Sequence, residues 1–135
     1  MPREFGVGSV FSPGGKLVEI NRCIVIENQK MIDLTRSCIV IGNETHAISP
    51  IQTRILEILF RNIGKPVSYE KLIEYAWNGS KRITKHSLYV YIHRLRWKLE
   101  QKPSRPRLLL SVHGFGYVLM SLGGIAIQTM ESSSR

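Results

Sequence analysis

The sequence has few of the features that mark secreted, membrane or metal-binding proteins. It holds two cysteines, Cys23 and Cys38, and no C-x-x-C pair, so neither a disulfide framework nor a cysteine-based metal site is expected. Each lies in a β-branched apolar run, which favours buried thiols in a reducing compartment over a bridge between neighbouring strands. The longest nearly apolar stretch, 117–127, is too short to cross a bilayer, and we expect no secretory signal.

Catalytic signatures are also missing. The sequence contains no P-loop, no nucleophile elbow and no H-E-x-x-H pattern. His86 and His93 are seven residues apart and can share a helix face, but no carboxylate or cysteine accompanies them in sequence to complete a metal site. We therefore predict a protein that is not an enzyme and that uses no cofactor and no metal.

Acidic residues are scarce and unevenly placed. The 135 residues include 19 Lys and Arg against 10 Asp and Glu, a net charge of +9. Residues 1–47 balance five basic against five acidic side chains, so the whole excess lies in residues 48–135. The segment 81–107 alone carries nine basic residues and one acid, Glu100. Such a one-sided positive field attracts phosphate backbones or anionic lipid.

An apolar row at helical spacing runs through this basic segment and marks the buried face of an α-helix. Its members are Leu88, Ile92, Leu95 and Leu99. At about 100° per residue, the opposite side of the helix carries a mixed polar, aromatic and cationic set. That set is His86, Val90, His93, Arg94 and Trp97, with Tyr89 and Arg96 on one flank. A docked helix that exposes cations favours nucleic acid, whereas a membrane-surface helix would need more large exposed apolar anchors.

The rest of the chain predicts an α+β fold. Short β-branched runs separated by turn residues predict strands at 17–20, 23–27, 31–34, 38–41 and 45–48, after a short strand around 7–11. Three helices follow, capped by Ser49, Ser68 and Thr84 and ending near residues 62, 77 and 100. Strands at 107–112 and 117–120 then form a hairpin around Gly114 and Gly116, which permit a tip with positive φ. The expected organisation is a loose segment 1–15, one domain at 16–120, and a flexible tail or linker start at 121–135.

Residues 49–120 resemble the winged-helix effector domain of the OmpR/PhoB family of bacterial transcription regulators. The matching motifs are I-S-P at 48–50, G-K-P-V-S-Y-E-K-L at 64–72, Y-A-W at 75–77, V-Y-I-H-R-L-R-W-K-L-E at 90–100, P-R at 106–107 and V-H-G-F-G-Y at 112–117. The preceding β-meander extends the resemblance to residues 16–120. Because only this meander precedes Ser49, the chain resembles most closely the receiver-less ToxR/CadC branch. The expected fold is a winged helix-turn-helix with an N-terminal antiparallel meander.

The resemblance implies a sequence-specific regulator of transcription that reads the major groove of double-stranded DNA with helix three. The wing would reach the adjacent minor groove or its phosphates. Arg94 would contact a base or phosphate, and Arg96 and Lys98 phosphate, with solvated charge as the alternative. Trp97 would lie along a sugar-phosphate edge or pack over the wing, with packing slightly favoured. The expected DNA-contact residues are Arg82, Lys85, His86, Tyr89, Val90, His93, Arg94, Arg96, Trp97, Lys98, Ser111 and His113.

Further partners follow from the resemblance. The loop containing Asn78, Gly79, Ser80 and Lys81 corresponds to a segment that some members use to touch RNA polymerase, although its basic residues could serve DNA instead. We expect a cytoplasmic activator that binds tandem half-sites as a homodimer, with a membrane anchor only if a longer chain continues past the tail. The alternative is a winged-helix protein-interaction module that does not bind DNA.

Three histidines, His86, His93 and His113, lie where family members often carry arginine. Imidazoles near phosphates would gain protons on binding, so we hypothesise that DNA affinity rises as pH falls through about 6.5. Neutral polar contacts are the alternative, and they predict a flat dependence on pH.

Overall fold

The computed structural model describes residues 7–11, 17–27, 29–80, 82–120 and 126–131. In chain order its strands are β1 (Val7–Phe11), β2 (Leu17–Glu27), β3 (Lys30–Asp33), β4 (Cys38–Ile41), β5 (Glu44–Ala47), β6 (Val67–Ser68), β7 (Leu109–Val112), β8 (Gly116–Leu119) and β9 (Ala126–Glu131). Its helices are α1 (Pro50–Arg61), α2 (Tyr69–Trp77) and α3 (Lys85–Leu99). These elements divide into two compact units, one within 1–47 and 123–135 and the other within 48–122. One domain at 16–120 was expected, so the division differs from that expectation.

The first unit is an antiparallel sheet. Its strands pair in the order β1-β2-β3-β4-β5, and β9 pairs with β2. Ile32 and Ile39 lie opposite each other on β3 and β4 and are completely buried. Such directly opposed β-branched pairs stabilise neighbouring strands. The meander expected from the β-branched runs is therefore present.

Two expectations about this sheet were wrong, both for the same reason. A turn was expected at Asn21-Arg22, but β2 runs through it unbroken, because Asn21 pairs with Val7 of β1 and Arg22 with Thr129 of β9. A flexible tail or the start of a linker was expected at 121–135, whereas Ala126–Glu131 forms β9 along β2. Pairing with distant strands gives the backbone of Asn21 and Arg22 its hydrogen-bond partners. Local turn propensity does not predict such pairing. The rest of that tail lies outside the described residues.

The two cysteines lie on strands separated by β3. Asp33 pairs with Cys23 on one side and with Cys38 on the other, and both thiols are free and buried. Burial, reinforced by the Asp33 carboxylate, raises the pKa of the Cys23 thiol to about 12. The same two causes raise the pKa of Cys38. Both cysteines are therefore small buried side chains with little thiolate character.

The second unit contains the three helices, and each begins at its predicted cap. Ser49 forms a capping box with Gln52, in which each side chain accepts from the other residue's backbone N–H. Ser68 accepts from the Lys71 N–H and Thr84 from the Ser87 N–H. The helices pack around a completely buried apolar set. That set includes Ile55, Leu56, Leu59, Leu72, Leu88, Ile92, Leu95 and Leu99.

A three-stranded sheet in the order β6-β8-β7 completes this unit. The β7–β8 hairpin is the predicted wing, although β7 begins at Leu109 rather than at residue 107. Gly114 has φ +71° at its tip, as expected for a turn glycine. Gly116 has a different role from the one expected, because a Cβ there would overlap the Val67 carbonyl of β6. Its lack of a side chain lets β6 and β8 approach closely.

Candidate nucleic-acid interface

The residues of α3 are buried or exposed as their spacing in the sequence predicted. Leu88, Ile92, Leu95 and Leu99 are completely buried. His93 and Arg94 point the other way and are exposed. The leucines therefore hold the helix against the core of its unit, and the opposite face is open to a partner.

Four ring side chains form a continuous row on this open face, which we call the aromatic ladder. Its members are His86, Tyr89, His93 and Trp97. His86 stacks on Tyr89 with ring centroids 6.5 Å apart, and Tyr89 stacks on His93 at 5.9 Å. Trp97 meets His93 edge-on at 6.5 Å, and its Nε1 donates a hydrogen bond to His93 Nε2 at 3.2 Å.

The ladder is well exposed to solvent. Trp97 is 67% exposed and Tyr89 47%. Packing of Trp97 over the wing was slightly favoured from the sequence, and this exposure argues against it. The four rings therefore form a contiguous exposed row on a helix whose opposite face is completely buried.

Beside the ladder lies a second group, the cationic flank, formed by Arg94 and Lys98. The Arg94 guanidinium lies over the Tyr91 ring, 5.6 Å from its centroid. Both cations line an open groove of about 470 Å³ between α3 and the start of α1. The groove is lined by Ser49, Gln52, Tyr91, Arg94, Trp97 and Lys98. Ring faces and cations thus occupy adjacent strips of one helix surface.

Arg96 requires a correction. It was expected to contact phosphate, but it is only 8% exposed and points into the wing. Its Nε donates to the Leu109 carbonyl at 2.9 Å, and its Nη2 donates to Ser111 Oγ at 3.0 Å. Its guanidinium also lies 5.8 Å from the centroid of the Tyr117 ring. Burial raises the pKa of Tyr117, and the nearby Arg96 charge opposes part of that rise.

The cause lies in the helical geometry. Arg96 is about 80° from the Leu88 direction, at the border between the buried and open faces, and the wing covers that border. Ser111 keeps an exposed position on the wing, although it also accepts the Arg96 hydrogen bond. Arg96 is therefore a positioning residue that ties the helix to the wing.

Glu100 performs a related task that the sequence analysis missed. Its buried carboxylate accepts hydrogen bonds from three successive backbone N–H groups, those of Arg107 (2.8 Å), Leu108 (2.9 Å) and Leu109 (2.7 Å). These bonds fix the entry to β7 against the C-terminal end of α3. The one signal in the sequence was that Glu100 is the lone acid in a strongly basic segment.

The other predicted contact residues are distributed as follows. Arg82, Lys85 and His113 are exposed, and Val90 is half-buried. The Lys85 ammonium lies 5.0 Å from the centroid of the Tyr69 ring. In the predicted polymerase loop, Asn78 is the left-handed C-cap of α2, followed by Gly79 and Ser80. Lys81 lies outside the described residues. His86, His93 and His113 are all exposed. The predicted pH dependence of DNA binding is not tested by the structure and stays a prediction.

Within the described ranges, no three His, Cys, Asp or Glu side chains group as metal ligands. The same residues include no helix with the length and apolar character needed to span a membrane.

The family model described as transcriptional regulatory protein, C terminal, matches residues 43–119, more than half of the chain. The chain belongs to this family. Its members are the OmpR/PhoB-type winged-helix DNA-binding domains of transcription regulators, so the resemblance read from the motifs is confirmed. This family consists of DNA-binding regulatory domains and is not an enzyme family.

Individual relatives agree with this assignment. The KDP operon transcriptional regulatory protein KdpE of Escherichia coli K12 is 36% identical over 89 residues, which cover 66% of this chain and 40% of KdpE. The chain thus corresponds to less than half of the length of that relative. Response regulator DrrB of Thermotoga maritima, an OmpR/PhoB homologue, superposes with a TM-score of 0.63 at 27% identity, covering 72% of this chain and 44% of DrrB.

The DNA-binding domain of E. coli CadC superposes with a TM-score of 0.65, covering 80% of this chain and 98% of that domain. Its sequence identity is 19%, so this likeness confirms the fold.

Proposed function

We propose that this chain is the DNA-reading part of a bacterial transcription regulator and that it binds double-stranded DNA sequence-specifically. Helix α3 enters the major groove with its aromatic ladder and cationic flank, because that groove is wide enough to admit a helix. The observation that carries the proposal is the two-sided nature of α3. Its apolar row is completely buried, while rings and cations share the open face.

The contact roles follow from position. Arg94, at the edge of the open face, is proposed to contact a base, and Lys98 beside it to contact phosphate. Arg82 and Lys85, before and at the start of α3, supply further phosphate contacts, and His113 at the wing tip reaches the minor groove or its backbone. Val90 lies between ladder and flank, where it suits a thymine methyl group. Arg96 and Ser111 hold the wing to α3, so they are not among the proposed direct contacts with DNA.

The wider assembly is proposed on the family resemblance. One module reads a short site, so two copies on tandem half-sites are expected, and we propose that the loop Asn78–Ser80, together with Lys81, contacts RNA polymerase. We propose an activator that acts in the cytoplasm, where bacterial DNA lies.

A binding titration tests the proposal. A fluorescent duplex of random sequence in dilute buffer should bind, and raising the salt should weaken binding steeply, because cations on the protein release counterions from phosphate. Duplexes selected from a random library should then bind more tightly than the starting pool. Arg105→Ala is the control for the loss of one positive charge outside the proposed interface, since Arg105 is exposed and basic but lies outside α3 and the wing. A chain that does not bind duplex DNA even at low salt would favour the protein-interaction alternative.

A further inference from the structure

The hydrogen bond between Trp97 and His93 has a chemical consequence for the open face of α3. An indole nitrogen carries a proton and can only donate. Because Trp97 Nε1 donates to His93 Nε2 at 3.2 Å, that imidazole nitrogen must offer a lone pair. A neutral His93 ring then carries its proton on Nδ1.

The ladder also fixes where this ring lies. Tyr89 stacks against His93 with an interplanar angle of 27°, and Trp97 meets it edge-on at 77°. Trp97 Nε1 is its hydrogen-bond partner among the described residues, which leaves Nδ1–H for a group outside the chain. His93 is exposed, so such a group has access.

We propose that Trp97 sets the base preference of α3 by holding His93 as an Nδ1–H donor toward the major groove. The inference rests on the proposed function and deepens it. An Nδ1–H group can donate to guanine N7 or O6, adenine N7 or thymine O4, all of which are acceptors on the major-groove edge. It cannot satisfy the amino group of cytosine N4, which is itself a donor. His93 therefore selects base edges that accept, and Trp97 is the positioning residue behind that selection.

A purely structural role for Trp97 fits the observations less well. At 67% exposure its indole adds little to the buried core, and its hydrogen-bond partner is an exposed side chain. Removal of the indole N–H should therefore change what His93 presents and leave the fold intact. That separation makes the proposal testable.

The first test measures the tautomer and uses no DNA. Two-bond ¹⁵N–¹H correlation spectra at a pH of about 8, where an ordinary imidazole is neutral, distinguish the Nδ1–H form from the Nε2–H form. In the wild-type chain His93 should be mainly Nδ1–H. Trp97→Phe keeps a ring but loses the donor, and should shift His93 toward the Nε2–H form that free histidine prefers. Tyr89→Phe, which keeps its ring and loses only a hydroxyl, should leave the tautomer unchanged. An Nε2–H form in the wild type, or no change in Trp97→Phe, overturns the proposal.

The second test measures base preference. Duplexes selected from a random library by the wild type should show one position that disfavours cytosine, and Trp97→Phe should reduce discrimination there about fivefold, the value of one hydrogen bond. The readout is the ratio of affinities for the selected duplex and for its cytosine variant, so a loss common to all sequences does not alter it. Equal weakening on all sequences, or an unchanged preference, overturns the proposal. If the wild type binds no duplex, the proposed function fails as well, and the tautomer spectra still decide separately whether Trp97 controls His93.

Discussion

Charged residues lie on both sides of the buried leucine row of α3, but the two sets have different roles. On the side toward the wing, Arg96 and Glu100 are buried and make hydrogen bonds to β7 and to the segment before it. On the open side, Arg94 is exposed and lies over Tyr91. Arg94 and Arg96 are two residues apart in the same basic segment. The comparison teaches that charge density locates an interface only coarsely, and that burial decides which charges are available to a ligand.

The largest effect is expected at Glu100. Glu100→Ala leaves three backbone N–H groups without their acceptor, two of them buried, and it should destabilise the fold by about 3–5 kcal/mol. Urea unfolding followed by circular dichroism measures this. Glu74→Ala, which removes an exposed carboxylate from α2, is the control and should change stability by less than about 0.5 kcal/mol. Similar losses in both variants would show that the carboxylate does not hold the wing.

A somewhat smaller effect is expected at Arg96. Arg96→Met keeps the aliphatic stem but loses the hydrogen bonds to Leu109 and Ser111, and should cost about 2–3 kcal/mol of folding free energy. Arg94→Met on the open side is the matched control, with a change of less than about 0.5 kcal/mol. Unfolding curves for the pair test the comparison itself, because equal stabilities would mean that burial does not distinguish the two arginines.

In DNA binding the ranking of the two sides should reverse. Arg94→Ala should lower affinity for a selected duplex by about 1–3 kcal/mol and relax the preference at one base position. Competition with single-base variants of that duplex measures both quantities. A uniform loss on every sequence would make Arg94 a phosphate contact instead of a base contact.

The smallest effect is expected at Lys98. Lys98→Ala should weaken all sequences alike and reduce the slope of log affinity against log salt by about one unit, because one phosphate contact is lost. Titrations of selected and random duplexes at several salt concentrations provide the slope. An unchanged slope would remove Lys98 from the interface.

Local features of the sequence allowed much of this fold to be predicted. Ser49, Ser68 and Thr84 signal the helix starts, since a cap acts on backbone N–H groups only three residues away. The spacing of the leucines gives the buried face of α3 for the same reason, because helical periodicity is local.

The features that could not be predicted all depend on distant partners. The role of Arg96 requires Leu109 and Ser111, and the role of Glu100 requires the segment that leads into β7. The unbroken β2 requires β9, which lies about a hundred residues further along the chain. The ladder positions followed from spacing, but the hydrogen bond from Trp97 to His93 depends on side-chain rotamers, which spacing does not determine.

The most direct test of the open face uses the two tryptophans as internal reporters. Trp97 lies in the ladder, whereas Trp77 ends α2 and packs edge-on against Tyr91. In a ¹⁵N–¹H spectrum of the 135-residue chain, addition of duplex DNA in dilute buffer should shift or broaden the Trp97 indole signal much more than that of Trp77. A Trp97 signal that stays in place while the duplex binds would contradict the claim that the open face of α3 is the surface that reads DNA.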